Sequence, residues 1–315
     1  MDMVRARHLM LASVRNFFYG RGYLEVETPY LMKTASPDPY IEPLRVFIGE
    51  KGPYFLHTSP EMGMKKMLAQ GYERIFQICK VFRIEEFEEH HSTEFTMLEW
   101  YCPGSYLDAM QETEDLVRFI AGTVGENTGE WGDRSWDVYA LRQLFIELTG
   151  MDPLPLPKER LVAEMERRGF QGLQKDDSWE DCFFKLFLQE VEPRIGDRRK
   201  APFFITDWPA SLTAMAKKKD DHTVERFELY MRGLEIANGY TELLDPSEQR
   251  ERLERDNEAR KDQGKPVYPV DDAFLRALSR ISGSVTGVSI GLDRLLMVLF
   301  QKDSIGDVLF DRFSI

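Results

Sequence analysis

The chain has 315 residues, of which 43% are hydrophobic, so it can bury a large core in one big domain or two smaller ones. Its formal net charge of −13 disfavours a general nucleic-acid-binding protein, which usually carries a basic surface. Cys79, Cys102 and Cys182 show neither metal-ligand spacing nor an even count for disulfides, which indicates reduced thiols. The sequence contains no apolar run of membrane-spanning length and no signal-peptide pattern. It therefore predicts a soluble, cytoplasmic protein without a membrane partner.

The first seventy residues predict two helices and a short strand. Residues 7–21 carry apolar side chains at helical spacing, and residues 24–29 alternate like a strand that a proline ends. Residues 58–61 place a hydroxyl cap, a first-turn proline and an early acid at the start of a helix that ends near Gly71. Taken alone, Ser59 and Glu61 are best interpreted as capping residues.

Residues 75–101 predict a long β-hairpin, because two β-like runs flank an acidic, histidine-bearing loop. Strand alternation puts Phe95, Met97, Glu99 and Tyr101 on one face. These groups, with Arg83 on the partner strand, are suited to stacking a base, gripping a phosphate and holding an amine. For this stretch alone, a surface hairpin with solvated charges is the alternative interpretation.

The middle of the chain, residues 127–199, predicts helices separated by turns that contain proline or glycine. The helix-like runs cover residues 141–149, 159–168 and 179–191. No motif with evident chemistry occurs there. We interpret the segment as a helical insertion in a single catalytic domain that spans residues 1–315.

Two carboxylates follow the insertion on a predicted hairpin. Residues 225–243 predict strand, turn and strand around Arg232 and Gly233. Such a turn makes Glu228 the diagonal neighbour of Glu235 on one face, at a spacing of roughly 7–8 Å. Two carboxylates at this spacing can share a divalent cation.

The second strand of this hairpin continues through Asn238, Tyr240 and Glu242. In a regular strand these three lie on the face opposite Glu235, so a common site requires a bulge or break, which we expect near Gly239. The charged residues 246–265 then predict a helix that faces solvent.

Residues 287–294 read Gly-Val-Ser-Ile-Gly-Leu-Asp-Arg and predict a strand that leads into an apolar helix. The first five residues match the nucleophile motif of esterases, with Ser289 as the nucleophile. In that fold the histidine follows the nucleophile, whereas all five histidines here precede Ser289, which disfavours a hydrolase. The other interpretation takes Arg294 as the functional group, at a helix start where small residues let a nucleotide approach the backbone.

Three stretches resemble the signature motifs of class II aminoacyl-tRNA synthetases. Residues 18–29 resemble the helix–strand–proline dimer motif of that family. Residues 82–85, together with 94–95, resemble its ATP-binding hairpin, and residues 287–294 resemble the terminal motif that ends in Asp-Arg. The resemblance implies an α+β fold, in which helices flank a class II synthetase-like antiparallel β-sheet.

Residues 95–99 and 233–243 are close to the lysine branch of the family. Within it, the chain resembles the stand-alone ligases that attach (R)-β-lysine to a lysine of elongation factor P. An anticodon-binding barrel is absent, and Ser59 and Ser289 replace the alanine and glycine usual in synthetases. Ser92 departs from the family pattern as well, because it stands where asparagine is usual. The resemblance leaves two alternatives, a truncated lysyl-tRNA synthetase that charges tRNA and a non-catalytic amino-acid-binding regulator.

The resemblance also implies substrates, partners and roles for individual residues. The substrates are a lysine-type amino acid and ATP with Mg²⁺, the acceptor is elongation factor P rather than tRNA, and the chain forms a homodimer. Arg83 and Arg294 are the catalytic residues, which grip the α- and γ-phosphates. The implied ATP-binding residues are Arg83, Ile84, Glu85, His91, Ser92, Phe95, Glu235, Ile236, Gly291 and Arg294. The implied amino-acid-binding residues are Ser59, Pro60, Glu61, Glu99, Tyr101, Asn238, Tyr240, Glu242 and Ser289, and the metal ligands are Glu228 and Glu235.

Overall fold

An eight-stranded β-sheet organises the chain, of which the computed structural model describes residues 2–84, 89–124, 131, 134–198 and 201–310. The strands are β1 (Leu24–Glu25), β2 (Leu31–Met32), β3 (Arg45–Ile48), β4 (Lys51–Leu56), β5 (Ile75–Phe82), β6 (Glu94–Pro103), β7 (Asp137–Ala140), β8 (Phe203–Thr206), β9 (Arg226–Met231), β10 (Leu234–Thr241) and β11 (Val285–Gly291). The helices are α1 (Met3–Gly20), α2 (Glu61–Leu68), α3 (Tyr106–Val124), α4 (Leu141–Thr149), α5 (Lys158–Arg167), α6 (Trp179–Leu186), α7 (Glu192–Arg198), α8 (Pro246–Asp262), α9 (Asp272–Leu278) and α10 (Leu292–Leu299). A π-helical turn, Phe187–Val191, joins α6 to α7.

The strand order in the large sheet is β1-β5-β6-β11-β10-β9-β8-β7. The five pairs from β5 to β8 are antiparallel, which confirms the predicted α+β fold. The sheet is mixed at its two edges, where β1 and β7 pair in parallel with their neighbours. Each edge strand joins the sheet through a connection that contains a helix, as parallel pairing requires. A small sheet, β2-β4-β3, was not predicted.

The predicted hairpin of β5 and β6 is confirmed, with Ile75 opposite Tyr101 and Phe82 opposite Glu94. One face of β6 buries Trp100 beneath α1 and α3, in the largest hydrophobic core. In that core, Phe18 of α1 stacks on Phe76 of β5, with ring centroids 4.7 Å apart. The opposite face of the hairpin therefore remains available for the polar side chains of the site.

The helices predicted in the middle segment are confirmed, with α4 at its predicted bounds. They pack around a second core that includes Phe145 and Phe183. The segment also contains β7, which was not predicted because its four residues offer too short a pattern. None of the helices in the described residues is long and apolar enough to cross a bilayer.

The turn between β9 and β10 has the predicted register, with Met231 opposite Leu234 and Tyr230 opposite Glu235. The required bulge exists, but it lies between Glu235 and Ala237 rather than near Gly239. Because the bulge inserts one residue, Glu235 shares a face with Asn238 and Tyr240. That face also carries Arg226 and Glu228, which lie opposite Tyr240 and Asn238.

Gly239 does not form the bulge; its lack of a side chain allows neighbouring side chains to pack closely against the backbone of β10. A Cβ atom at this position would lie 2.7 Å from the ring of Phe227 and 2.9 Å from Cγ2 of Val288. A larger residue would push these two neighbours apart within the sheet.

The prediction that residues 246–265 face solvent is wrong for one side of α8. Arg252 and Arg260 on that side are almost completely buried. Arg252 donates to the carbonyl oxygen of Ala216 at 2.7 Å, and Arg260 donates to that of Asp38 at 2.9 Å. Hydrophobic periodicity could not detect this buried side, because guanidinium groups that bind carbonyl oxygens form it.

We expect Gly239→Ala to lower the free energy of unfolding by about 1–3 kcal/mol, the typical cost of overpacking a core. The measurement is urea unfolding of the variant beside Gly122→Ala. Gly122 lies on α3 with nothing within 4 Å of an added Cβ, so this control should gain about 0.5–1 kcal/mol from helix propensity. Equal effects of the two changes would contradict the packing role of Gly239.

Candidate active site

Two cavities lie side by side over the polar face of the sheet. The first, the acidic cavity, has a volume of about 240 Å³ and is lined by Glu61 and Glu99 among others. The second, the arginine cavity, has a volume of about 180 Å³ and is lined by Arg294 and Phe95 among others. Both cavities are lined by Ile41, Arg83, Asn238 and Ser289. A reaction between molecules bound in the two cavities would therefore take place beside these four residues.

The arginine cavity combines an aromatic ring with two guanidinium groups. The Arg83 guanidinium lies 5.2 Å from the ring centroid of Phe95, and its Nε donates to the carbonyl oxygen of Thr58 at 3.1 Å. The guanidinium group of Arg294 contacts His91, whose Nε2 lies 2.5 Å from Nη2 of Arg294. A ring for stacking and two fixed cations match the chemistry of a nucleoside polyphosphate.

Neighbouring contacts fix where Arg294 points. Nη1 of Arg294 donates to the carbonyl oxygen of Glu235 at 3.2 Å, next to the bulge in β10. The preceding residue, Asp293, is turned into the core, where it accepts a hydrogen bond from Thr96 N at 2.6 Å and pairs with Arg7 at 2.6 Å. The Asp-Arg pair at the start of α10 thus anchors the helix with one side chain and supplies the cavity with the other.

Ser59 and Glu99 form one wall of the acidic cavity. The Glu99 carboxylate accepts hydrogen bonds from Tyr101 Oη at 2.7 Å and from Ser59 Oγ at 2.8 Å. Ser59 Oγ also accepts from Glu61 N at 3.0 Å, so the residue caps α2 and orients a carboxylate at once. Burial, followed by the charge of Glu61, raises the pKa of Glu99 to about 7. A cationic ligand beside Glu99 would favour its ionised form.

Lys65 is a member of the site that sequence analysis missed. Its side chain is completely buried, lies 2.5 Å from Glu61 Oε1, and forms an ion pair with Glu242. Glu61 Oε1 also accepts from Tyr240 Oη at 2.6 Å. Burial alone would lower the pKa of Lys65, but Glu242 and Glu61 together raise it above its ordinary value. The available signal was a lysine four residues after an acid, on the apolar side of a helix.

Glu242 lies beneath the acidic cavity rather than on its surface. Its side chain is completely buried, and burial raises its pKa to about 8 even though Lys65 opposes the shift. Gly287 of β11 leaves room for this carboxylate, since a Cβ there would lie 2.4 Å from both Glu242 Oε1 and Tyr101 Cε1. Glu242 therefore reaches the cavity surface only through its ion pair with Lys65 and with Glu61 beyond it, and its role as an amino-acid-binding residue stays a prediction.

Glu235 of β10 lines the arginine cavity, and Glu228 lies on the same face of the sheet, on the neighbouring strand β9. Glu228 is buried and accepts hydrogen bonds from Arg226 at 2.5 Å and from Tyr230 at 2.9 Å. Burial, followed by the charge of Glu235, raises the pKa of Glu228 to about 8. The described residues contain no group of three or more His, Cys, Asp or Glu placed to hold a metal. Two facing carboxylates do fit Mg²⁺ that arrives with phosphates, because this ion keeps few protein ligands.

The middle segment also contributes to the site, which its sequence did not indicate. Glu192 of α7 is half-buried. Its burial and the charge of Glu235 raise its pKa, whereas the charge of Arg294 lowers it. Arg226 is a further residue that was missed; it donates to Asn238 Oδ1 at 3.2 Å and lines the acidic cavity.

The structure brings most of the implied site residues together. The acidic cavity is lined by Ser59, Glu61, Arg83, Glu99, Tyr101, Asn238, Tyr240 and Ser289. The arginine cavity is lined by Arg83, His91, Ser92, Phe95, Glu235, Ile236, Asn238, Ser289, Gly291 and Arg294. Four implied residues, Ile84, Pro60, Glu228 and Glu242, line neither cavity. Ile84 is 53% exposed and pairs with Glu42 instead, and Glu85 lies outside the described residues.

Comparison with known proteins identifies the family. A model described as tRNA synthetases class II (D, K and N) matches residues 1–311. The chain belongs to this class II synthetase family. The match confirms the resemblance inferred from the motifs.

Curated relatives within this class II family are named elongation factor P–(R)-β-lysine ligase. The protein of that name from Pectobacterium atrosepticum is 36% identical, over 96% of this chain and 92% of its own length. The one from Pseudoalteromonas translucida is 36% identical, over 97% and 94%. The one from Haemophilus ducreyi is 37% identical, over 96% and 91%.

We expect Lys65→Met to lower the free energy of unfolding by about 3–5 kcal/mol, because it leaves buried carboxylates without their cation. Lys66→Met is the matched control, since Lys66 pairs with Asp271 at 2.5 Å but is one-third exposed. The control should cost at most about 1 kcal/mol. Denaturant unfolding at neutral pH measures both, and a similar loss in the two variants would remove the special role of Lys65.

Proposed function

We propose that this chain activates a lysine-type amino acid, (R)-β-lysine, with ATP and transfers it to a lysine side chain of elongation factor P. The observation that carries the proposal is the acidic cavity, which is lined by Glu61 and Glu99, lies against the buried pair of Lys65 and Glu242, and opens beside the arginine cavity. The names of the relatives supply the acceptor and the isomer.

The charge of the acidic cavity suits a substrate that carries two ammonium groups. Glu61, Glu99 and Glu242 outnumber Lys65, so the cluster accepts further positive charge without leaving it unpaired. A neutral side chain of similar length would leave these buried carboxylates uncompensated. Selection for a lysine-type amino acid follows from this penalty.

In the first step, the carboxylate of the amino acid attacks the α-phosphorus of ATP and pyrophosphate leaves, which forms the aminoacyl-adenylate. Arg83 lines both cavities, so it binds the α-phosphate where charge develops. Arg294 binds the γ-phosphate, and Phe95 stacks on adenine. No covalent enzyme nucleophile is required, and positioning with charge neutralisation supplies the catalysis.

Mg²⁺ would be held by Glu228 and Glu235, together with phosphate oxygens of ATP, and would offset the charge of the departing pyrophosphate. Glu235 also contacts Arg294 through its carbonyl oxygen. A Mg²⁺ titration of adenylate formation that is unchanged by Glu235→Gln would refute this assignment.

The remaining assignments concern assembly. The chain forms one catalytic domain with α4–α7 as an insertion, and it acts in the cytoplasm as a homodimer that associates through residues 18–29. Exposed Tyr19 and Leu24 in that stretch support a contact surface. Sedimentation as a monomer at micromolar concentration would contradict the dimer, and independent folding of residues 127–199 would contradict the single domain.

The function is tested by pyrophosphate exchange with α-lysine and (R)-β-lysine, followed by incubation of the labelled amino acid with elongation factor P and bulk tRNA. We expect exchange with the β-isomer and label in elongation factor P. Arg294→Ala should lower exchange by about 10²–10³-fold, the usual effect of losing one transition-state donor. Label found in tRNA alone would identify a truncated synthetase, and absence of exchange would indicate a non-catalytic protein.

Ser289 is proposed to favour the β-isomer. It lines both cavities, and its Oγ lies 3.4 Å from the carbonyl oxygen of Asn238. In a β-amino acid the amine lies one carbon farther from the reacting carboxylate, so the depth of the cavity beneath it matters. One or two heavy atoms at such a position change discrimination by about 1–3 kcal/mol.

We therefore expect Ser289→Gly to raise kcat/KM for α-lysine relative to (R)-β-lysine, by about 10-fold or more. Adding Ser59→Ala should raise the ratio further, because it removes a hydroxyl that orients Glu99. Steady-state kinetics with both isomers measure the ratio. A ratio equal to that of the wild type would place isomer choice elsewhere.

A further inference from the structure

Asp256 differs from the other polar residues on the buried side of α8. That side consists of Gln249, Arg252, Leu253, Asp256 and Arg260. The amide and both guanidinium groups bind carbonyl oxygens or a carboxylate, at 2.6–3.1 Å. Asp256 is only 9% exposed, yet it forms no hydrogen bond or ion pair with any residue that the structure describes. Its carboxylate lines the acidic cavity and is paired with no group of the described chain, so it is open to a cationic ligand from outside the chain.

The position of Asp256 defines which molecule can reach it. Asp256 and Asp38 line the acidic cavity, together with Ser289 and Asn238, which line the arginine cavity as well. Asp38 is already engaged, since its Oδ1 accepts from the backbone N–H of Tyr40 at 2.8 Å.

The other carboxylates that line the cavity, Glu61 and Glu99, also have partners within the chain. Glu61 binds Lys65 and Tyr240, and Glu99 binds Ser59 and Tyr101. Asp256 lies in the cavity that is proposed to bind the amino acid. It therefore remains available to a second cationic group.

We propose that Asp256 binds the ammonium group of the acceptor lysine and accepts a proton from it before the amine attacks the adenylate. The inference rests on the proposed function, which requires a second cationic group to enter the acidic cavity. A lysine ammonium ordinarily has a pKa of about 10.4 and is not nucleophilic until it loses a proton. A carboxylate that first pairs with the cation and then takes its proton meets both needs.

In the transfer step, the amine nitrogen forms a bond to the carbonyl carbon of the adenylate, and the bond from that carbon to the phosphate oxygen of AMP breaks. Two protons leave the nitrogen overall: the first goes to Asp256 before attack, and the second leaves through the phosphate of AMP to water. The products are an amide and AMP, and Asp256 returns its proton to water.

The surroundings of Asp256 agree with this role. Burial and the charge of Asp38 raise the pKa of Asp256 to about 7, with a further contribution from Glu180 of α6. Arg255 and Arg252, on its own helix, lower it without forming an ion pair. A group with a pKa near the working pH is an effective proton acceptor.

The test separates the two steps in Asp256→Asn. Pyrophosphate exchange should stay within about twofold of the wild type, which also shows that the variant folds. Preformed adenylate is then chased with elongation factor P, with N-acetyl-lysinamide or with hydroxylamine. Transfer to the two lysine amines should fall about 10²-fold, the usual effect of losing a general base. Hydroxylamine is uncharged at neutral pH, so its reaction should be unchanged.

Two further measurements sharpen the result. Glu258→Gln, on the exposed side of the same helix, should leave every rate unchanged. The rate of transfer to the amines by the wild type should rise with pH through about 7. This rise in rate should be absent in Asp256→Asn. Equal losses with amines and hydroxylamine, unchanged amine transfer, or loss of pyrophosphate exchange would each overturn the proposal. A wild-type enzyme that modifies N-acetyl-lysinamide but not elongation factor P would refute the proposed acceptor, while the comparison of nucleophiles still tests Asp256.

Discussion

The ammonium group of Lys65 lies between the carboxylates of Glu61 and Glu242, where no solvent reaches it. Because either charge alone would be costly to bury, helix α2 and the chain directly after strand β10 are held together by electrostatics as well as by packing. Tyr240 Oη donates to Glu61, and Ser59 Oγ joins the start of α2 to Glu99, so Glu61, Glu99 and Glu242 form one connected cluster around this cation.

The bulge in β10 has an equally direct effect on the site. Without it, the alternation of a regular strand would place Glu235 on the opposite face from Asn238 and Tyr240. With it, one strand supplies residues to both cavities and presents the carbonyl oxygen of Glu235 to Arg294. A single additional residue thus brings the residues of the two cavities to the same face of the sheet.

Sequence analysis succeeded where local pattern determines structure. The bounds of α4, the β5–β6 hairpin and the turn around Arg232 and Gly233 all follow from periodicity and turn chemistry within a few residues. Most of the residues that the motifs implied then line one cavity or the other. The existence of a bulge was deduced because residues expected in one site had to share a face.

The failures concern contacts between distant parts of the chain. Lys65 was not assigned to the site, because its partner Glu242 is far away in sequence. The bulge was expected near Gly239, but the small size of this residue instead makes room for the ring of Phe227. The buried side of α8 was missed because Arg252 and Arg260 are stabilised there by carbonyl oxygens of other segments. A periodicity argument has no access to such partners.

The order of strands in the sheet has a consequence for synthesis of the chain. Strand β11 is the last to leave the ribosome, yet it lies between β6 and β10. At ~5–20 residues per second, β6 waits roughly 10–40 s with an unpaired edge before its neighbour exists. An edge of this kind can pair with other chains, so nascent molecules are exposed to wrong pairing during that interval. The centre of the sheet is completed last, because a nascent chain that ends before β11 lacks the strand that joins its two halves.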